Sequence, residues 1–218
     1  MNLLEFFELS SEPFANSPDG RFYFESAQHA QVMARLRYVT DNMKGLAIVV
    51  GDIGAGKTTL ARRFMETLSD DEYEAALLVV IHSSITSDWL LTKIAMQLGV
   101  AEPAADKVTL LGQLYGRLRE IHDEGKRAVV LIDEAQMLQS RETMQELRGL
   151  LNLELPGRKL LSLVFFGLPD IEQTLALDPP LAQRVALKVH LQALPLSSTE
   201  EYVRHRLRVA GARQMPFS

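Results

Sequence analysis

The sequence predicts an α/β fold in which one parallel sheet is covered by helices on both faces. Short runs that are almost wholly apolar, as buried parallel strands are, recur along the chain. Between them lie longer segments whose apolar residues repeat at helical spacing, and this alternation is typical of parallel α/β architecture. The chain has 218 residues, 47% of them hydrophobic and 23% charged, which suffices for one globular domain with a substantial core.

Five apolar runs are predicted to form the strands of this sheet. The first four consist almost entirely of apolar residues, which indicates strands buried on both faces. The fifth alternates apolar and polar residues, as a half-buried strand does. In chain order the strands are predicted over residues 46–50, 76–81, 128–132, 161–166 and 186–191.

Helices are predicted before the first strand and between the strands, after a leader that contains Pro13, Pro18 and Gly20. They are predicted over about residues 26–43, from Lys57 to 68, and over 87–98, 107–122, 140–153 and 170–176. A last helix is predicted to open with a capping box of Ser198 and Glu201, because a hydroxyl and a carboxylate at this spacing satisfy two backbone donors. We expect it to stop near residue 211, a glycine.

Charge and composition restrict the kinds of partner. The net charge of -5 repels phosphate backbones, so any nucleic-acid site has to be a local basic patch. The absence of cysteine excludes disulfides and thiolate chemistry. The opening segment lacks a signal-peptide pattern, and the longest apolar run, 160–168, is shorter than the roughly 20 residues that span a bilayer. We therefore expect a cytoplasmic protein without a membrane span in this chain.

A phosphate-binding loop is predicted directly after the first strand. The pattern G-x-x-x-x-G-K-[ST] is matched by Gly51, Asp52, Ile53, Gly54, Ala55, Gly56, Lys57 and Thr58, and we include Thr59 in the nucleotide site. Glycines let backbone N–H groups converge on phosphates, and the helix that follows adds its positive N-terminal end. A chance glycine-rich turn is the other interpretation, but such a turn has no reason to stand between a predicted strand and a predicted helix.

The predicted ligands are ATP and Mg²⁺. Lys57 is expected to contact the β- and γ-phosphates as a catalytic cation, and the Thr58 hydroxyl to bind the metal. The third predicted strand ends in Asp133 and Glu134. Asp133 is expected to hold Mg²⁺ and Glu134 to polarise the attacking water, although an acidic pair alone at a strand end is more often a cap or a turn.

The motifs extend beyond the nucleotide site and resemble the ExeA/GspA-type AAA+ ATPases of bacterial secretion and assembly systems. The matching segments are Phe6-Phe7-Glu8-Leu9, Glu12-Pro13-Phe14, Ser17-Pro18-Asp19, Arg21-Phe22-Tyr23-Phe24, Gly51 to Thr59, Ile132-Asp133-Glu134-Ala135-Gln136, Phe166-Gly167-Leu168-Pro169-Asp170 and Leu194-Pro195-Leu196-Ser197, with Tyr202 and Arg206-Leu207. They cover essentially the whole chain. Transposition ATPases of the TniB, TnsC and MuB kind are related to this group.

The resemblance implies an AAA+ fold with strand order 5-1-4-3-2 and a ring or partial ring with ATP at the subunit interfaces. It places a catalytic arginine, which enters the neighbouring subunit's site, at Arg184; a surface arginine at a helix end is the alternative. Related proteins often have a polar γ-phosphate sensor where this chain has Leu168. The implied division is a leader and helix over 1–45, a core over 46–195, and the start of a helical lid, largely missing, over 196–218.

The function implied is ATP hydrolysis that assembles or remodels a secretion or envelope complex, with inner-membrane association through a region that this chain lacks. One alternative is a DNA-binding ATP switch that recruits a transposase. Basic runs at Arg62-Arg63 and from Arg204 to Arg208 are compatible with DNA, although such runs are usually solvated faces. Another alternative is a scaffold that hydrolyses little. His82 has no histidine or cysteine at metal-binding spacing and is expected only to end a strand.

Overall fold

The computed structural model describes residues 3–15 and 19–214, with only the backbone of Leu3. Ser17 and Pro18 of the predicted leader, and residues 215–218 of the predicted lid segment, lie outside this part. Five parallel strands form the central sheet: β1 Leu46–Gly51, β2 Tyr73–Val79, β3 Arg127–Asp133, β4 Leu161–Gly167 and β5 Val185–Leu191. Their order across the sheet is β2-β3-β4-β1-β5, which confirms the predicted order 5-1-4-3-2.

The helices are α1 Leu3–Phe6, α2 Ala27–Asp41, α3 Lys57–Thr67, α4 Ser87–Gln97, α5 Lys107–Asp123, α6 Arg141–Leu151, α7 Ile171–Ala176, α8 Pro179–Ala182 and α9 Leu196–Val209. Four of them begin where a side-chain oxygen accepts a hydrogen bond from the backbone N–H three residues on. The capping residues are Ser26, Thr86, Asp106 and Ser140. Such caps satisfy donors that the first helical turn leaves free.

Alternate residues of each strand face opposite sides of the sheet and join two separate apolar clusters. In β1, Ile48 joins the cluster formed with α4, α5 and α6, whereas Val49 joins the cluster formed with α2 and α3. The same alternation holds in β3 for Val130 and Leu131. Helices therefore cover both faces of the sheet, as the apolar runs predict. Ligand sites are left to the two ends of the strands, which we call the amino edge and the carboxyl edge of the sheet.

The second strand differs from its prediction. It begins at Tyr73, three residues earlier than predicted, and ends at Val79; Ile81 is 77% exposed. Glu74 interrupts the apolar run, so the sequence pattern did not show that the strand begins at Tyr73. This strand is the outermost of the sheet, and outer strands tolerate polar residues. The Tyr73 ring is buried, and its hydroxyl donates to the Asp41 carboxylate at the end of α2.

The last long helix also begins differently from its prediction. Helix α9 starts at Leu196 with Pro195 as its N-terminal cap, so the predicted capping box at Ser198 and Glu201 is wrong. Pro195 has an extended backbone with φ of -64°, and the chain turns into the helix directly after it. The predicted stop is confirmed, because Gly211 follows the helix with φ of +98°.

Further short elements were not predicted from the sequence. They are α1, α8, the 3-10 turns Gly20–Phe22 and Ala135–Met137, and an antiparallel hairpin of Glu154–Leu155 and Arg158–Lys159. The hairpin precedes β4 and turns at Gly157, which has φ of +76°. Each is too short for its apolar residues to show the periodicity of a helix or a strand.

The leader packs against α9. The Ser10 N–H and hydroxyl both donate to the Ala210 carbonyl, at 2.7 and 2.8 Å. Arg206 donates to the Pro13 carbonyl and lies over the Phe22 ring, 4.8 Å from its centroid. Aromatic contacts of Phe14 and Phe24 with Tyr202 complete the packing. The first and last described elements are thus joined to each other.

Within residues 3–15 and 19–214, no helix is both long enough and apolar enough to cross a bilayer.

Candidate nucleotide-binding site

The predicted phosphate-binding loop connects β1 to α3 at the carboxyl edge of the sheet. Residues 52–54 are exposed and Ile53 reaches 89% exposure, so the loop projects from the protein surface. Gly54 and Gly56 have φ of +80° and +89°, values that residues with a Cβ rarely adopt. Gly56 is also the N-terminal cap of α3 and has no side chain to satisfy the free N–H groups of the first turn. These donors remain directed toward the loop, which is the arrangement that binds phosphate.

Close packing fixes the first glycine of the loop. A Cβ added at Gly51 would lie 2.8 Å from the Leu191 carbonyl oxygen at the end of β5. No ordinary Cβ contact is so short, so only glycine allows β1 and β5 to end side by side here. The other strand neighbour of β1 is β4, which pairs Val50 with Gly167. The loop therefore starts from a rigid base.

Lys57 is the first residue of α3 and is only 7% exposed. Its Nζ donates a hydrogen bond of 2.9 Å to the Asp52 carbonyl oxygen within the same loop. The ammonium group is thus folded across the loop, where phosphate oxygens would be stronger partners than a neutral carbonyl. Thr58 follows in the first turn of α3 and is half-buried, and Thr59 is exposed.

Asp133 ends β3 at the same edge of the sheet and is 1% exposed. Its Oδ1 accepts a 3.0 Å hydrogen bond from the Glu134 N–H, whereas Oδ2 has no partner. Ile132, directly before Asp133, and Ile48 of β1 both lie level with Phe165 of the intervening strand β4. Two strand spacings therefore separate the Ile132 and Ile48 backbones, roughly 10 Å. A buried carboxylate oxygen without a partner is a fitting ligand for a cation.

Glu134 adopts a left-handed backbone conformation, with φ of 57° and ψ of 35°. Such a conformation costs about 1 kcal/mol or more for a non-glycine residue and recurs at functional sites. Its Oε2 accepts a 2.6 Å hydrogen bond from the side-chain amide of Gln136. The turn Ala135–Met137 thus aims the carboxylate away from the direction that β3 would have continued.

Gln136 is a residue that the sequence did not single out for a role. It is 7% exposed, and its Oε1 accepts a 3.1 Å hydrogen bond from the Leu168 N–H while its amide holds Glu134. A Cβ at Gly167 would lie 2.8 Å from that Oε1, so the glycine makes room for the amide. At Leu168, where the resemblance implied a polar sensor in related proteins, the Gln136 side chain is bonded to the backbone N–H. In the sequence, Gln136 stood out only as the last residue of the family motif that contains Asp133.

A cavity of about 450 Å³ lies beside the first turns of α3 and was not predicted. Its lining includes Thr58, Thr59 and Arg62 of α3, Tyr23 of the leader and Arg206 of α9. Burial raises the pKa of the Tyr23 hydroxyl above its ordinary value, with a smaller contribution from the charge of Glu25. The cavity adjoins the loop and offers aromatic and cationic walls.

His29 of α2 packs against the back of the loop. A Cβ at Gly56 would lie 3.3 Å from its Nε2, and its Nδ1 lies 2.7 Å from the Ser26 hydroxyl. Burial lowers the pKa of His29, so its neutral form is favoured. The helix before β1 thus helps to position the loop.

Arg184 lies far from this site within one chain. It precedes β5 at the amino edge of the sheet, whereas the loop follows β1 at the carboxyl edge. The six residues of β1 separate the two edges by roughly 20 Å. Arg184 therefore cannot reach the phosphate loop of its own chain.

In the described part of the chain, no group of three or more His, Cys, Asp or Glu side chains could hold a metal ion by itself. His82 was expected to end the second strand, but β2 ends at Val79, three residues earlier, and the His82 Nδ1 is 3.0 Å from the Ser84 hydroxyl. Mg²⁺ does not need such a cage, because it is usually held by one or two protein oxygens together with substrate phosphates and water.

The fold and this loop define a P-loop nucleotide-binding protein of the AAA+ type. A family model described as an AAA domain matches residues 40–175. The chain belongs to this AAA domain family.

Two curated relatives support a closer placement. General secretion pathway protein A of Aeromonas hydrophila is 35% identical over 218 residues, which cover 98% of this chain and 39% of the relative. The ATP-dependent target DNA activator B of Escherichia phage Mu is 28% identical over 134 residues, which cover 62% of this chain and 39% of that protein. The chain thus spans about two fifths of the length of these relatives. The predicted resemblance to the GspA type is confirmed.

Solved structures agree on the fold. Cdc6p of Pyrobaculum aerophilum matches with a TM-score of 0.66 and 19% identity, over 88% of this chain and 54% of that one. The ORC2 protein of Aeropyrum pernix matches with a TM-score of 0.64 and 18% identity, over 88% of this chain and 56% of that one. At such identities the likeness concerns the fold alone.

Proposed function

We propose that this protein binds ATP with Mg²⁺ at the loop 51–59 and hydrolyses it. The observation that carries the proposal is the unpartnered, buried Asp133 Oδ2 at the same sheet edge as a glycine-shaped loop that caps α3. The carboxylate of Asp133 and the hydroxyl of Thr58 are hard oxygen donors, which fit Mg²⁺. When bound, the ion would neutralise charge on the β- and γ-phosphates.

In this proposal each residue has one task. The N–H groups of residues 52–59 and the Lys57 ammonium bind the triphosphate. Glu134 orients the attacking water and accepts its proton, because its carboxylate is the nearest base to the metal ligand Asp133. The nucleotide base occupies the cavity lined by Tyr23 and Arg62, where rings and guanidinium groups can stack on it.

Two substitutions separate binding from hydrolysis. Lys57→Ala should weaken ATP binding by at least about tenfold, or 1.4 kcal/mol, because it removes a direct phosphate contact. Glu134→Gln should keep the affinity and lower kcat by about 10²–10⁴-fold, the usual contribution of a general base. Fluorescent-nucleotide titration and phosphate release measure the two effects.

The matched controls are Lys93→Ala and Glu200→Gln, which lie on α4 and α9 away from the loop. Both should behave like the unmodified protein. Full turnover in Glu134→Gln would remove Glu134 from its proposed role, and unchanged affinity in Lys57→Ala would refute phosphate binding by the loop.

We further propose that ATP turnover drives assembly or remodelling of a secretion or envelope complex. The support is the 35% identity to a relative named as a general secretion pathway protein. The protein would act in the cytoplasm, in association with the inner membrane, and as a ring or partial ring in which Arg184 enters the neighbouring site. The transposition alternative has the weaker support of a shorter match at 28% identity.

A further inference from the structure

The basic runs that the sequence offers for nucleic acid are partly occupied by other contacts. Arg63 forms a 3.0 Å ion pair with Glu66 and lies over the Tyr23 ring. Arg206 lies over the rings of Phe22 and Tyr202 and donates to a leader carbonyl. These two arginines contact the leader, so each run has fewer free cations than its sequence suggests.

A second cavity, of about 620 Å³, lies at the amino edge of the sheet. Three loops form it: the turn between α2 and β1, the turn between α5 and β3, and the hairpin before β4. These loops precede the three adjacent central strands of the sheet. The charged and titratable residues that line the cavity are Asp41, Lys44, His122, Lys126, Arg127, Arg158 and Lys159. Five Lys or Arg therefore face one carboxylate, in a chain whose net charge is -5.

The Asp41 carboxylate and two of the five basic side chains already have partners within the protein. Asp41 pairs with Arg37 at 3.0 Å and accepts from the Tyr73 hydroxyl. Arg127 lies over the Tyr73 ring, and Lys159 pairs with Glu154 at 2.6 Å. Asp41 therefore does not neutralise the cations of the other loops.

The remaining cations are available for a ligand. Within the described residues, Lys44 and Arg158 are exposed and have no carboxylate within 4.0 Å. Lys126 has only a 3.8 Å contact with Glu124. The three residues come from three different loops, so an extended ligand can contact them together.

The position of the cavity excludes the nucleotide of the same chain. The P-loop lies at the opposite edge, roughly 20 Å away. A single phosphate ion would also be much smaller than the cavity. A chain of phosphates has the spacing and length to meet cations on successive loops, and binding releases its condensed counterions.

We propose that this cavity, with Lys44, Lys126 and Arg158 as its main contacts, binds the phosphate backbone of a nucleic acid. The contacts are to phosphates, so binding is expected to be independent of base sequence. An acidic protein segment is the competing ligand, but even consecutive carboxylates, at about 3.3–3.6 Å per residue, carry fewer charges per length than a duplex with one charge per ~1.7 Å. The inference goes beyond the proposed function, since it requires neither ATP turnover nor a secretion partner.

The test is anisotropy of a short fluorescent DNA duplex of mixed sequence, titrated with the protein between about 50 and 200 mM salt. The triple variant Lys44→Gln, Lys126→Gln, Arg158→Gln should bind at least tenfold more weakly at low salt. The slope of log K against log salt should fall by about one unit for each phosphate contact removed. Arg127 and Lys159 are left in place because they have structural partners.

The control is Lys93→Gln, Arg119→Gln, Arg213→Gln, which removes three basic side chains that do not line the cavity and the same total charge. It should retain nearly all binding. Basal ATPase activity without DNA should be equal in both triple variants and the unmodified protein. Absence of DNA binding would therefore refute the cavity proposal without affecting the ATPase proposal.

Three results would overturn the inference. One is no binding of duplex or single-stranded DNA or RNA by the unmodified protein at low salt. Another is equal loss of binding in the two triple variants, which would reflect net charge alone. The last is selective binding of a polyglutamate peptide, or loss of self-association in sedimentation, in place of nucleic-acid binding.

Discussion

At the scale of single residues, Gln136 joins two parts of the candidate site. Its amide nitrogen donates to Glu134 and its amide oxygen accepts from the backbone after β4. Thr174 holds the Gln136 backbone by donating to its carbonyl at 3.2 Å. The position of the proposed base thus depends, through Gln136, on Leu168, which follows β4 and lies 32 residues beyond Gln136.

Gln136→Ala should lower kcat by about tenfold, part of the roughly 10²–10⁴-fold that a positioned base contributes. The KM for ATP should stay nearly constant, because Gln136 does not line the phosphate loop. Steady-state kinetics over a range of ATP concentrations measure both parameters. Gln139→Ala, an exposed glutamine nearby, serves as the control. A rise in KM with constant kcat would show that Gln136 acts on binding instead.

Adding one methyl group at Gly51 tests how closely β1 and β5 pack at the base of the loop. Gly51→Ala places its Cβ against the Leu191 carbonyl, so β1 and β5 have to move apart. Overpacking of this kind costs about 1–3 kcal/mol. Gly116→Ala in α5 meets nothing within 4 Å and should instead stabilise by up to about 1 kcal/mol. Chemical denaturation of both variants gives the two changes; equal stability in Gly51→Ala would contradict the close approach.

At the scale of elements, the edge strand β2 is tied to α2 through Tyr73. Burial, followed by the hydrogen bond to Asp41, raises the pKa of Tyr73 from 10.0 to about 12. The protonated phenol is therefore favoured in the folded state, and its stabilising contribution is complete below pH 10. It is lost as the pH rises from 10 toward 12, because the unfolded chain ionises first.

The unfolding free energy should consequently fall more steeply between pH 10 and 12 in the unmodified protein than in Tyr73→Phe. Every other titratable group is present in both proteins, so the difference between the two curves isolates Tyr73. Denaturant titrations at pH 9.5 and 11.5 provide the measurement. Parallel curves would show that the tyrosine has an ordinary pKa.

At the scale of the whole molecule, the two edges of the sheet separate Arg184 from the P-loop. If Arg184 acts in the site as proposed, each complete site is built from two copies, which a mixing experiment can detect. Lys57→Ala retains Arg184, and Arg184→Ala retains the loop. Each variant alone should have little activity, with Arg184→Ala reduced by about 10³-fold if it acts like an arginine finger.

A mixture of the two variants should be several-fold more active than the sum of its parts, because mixed interfaces contain one complete site. ATPase rates at increasing total protein concentration give the comparison. A mixture of Lys57→Ala with Glu134→Gln, which have defects in the same site, should show no gain. Activity that is strictly additive in the first mixture would identify Arg184 as a surface residue.

Local patterns predicted the strands and the loop at Lys57, because each is a continuous segment with its own period or spacing. The strand order came from the resemblance to a family, since periodicity does not reveal which strands are neighbours. Gln136 was missed because its role depends on contacts with Leu168 and Thr174 that no local pattern contains. The cavity at the amino edge was missed for the same reason, as its three loops are distant in sequence.

The leader contacts both α9 and α2, the helix that packs behind the phosphate loop. Pro13 and Phe22 lie against Arg206, while His29 lies against Gly56. A shift of α9 therefore alters the surroundings of the loop. By thermodynamic reciprocity, any partner that grips α9 and changes nucleotide affinity must have its own affinity changed by nucleotide, by the same factor.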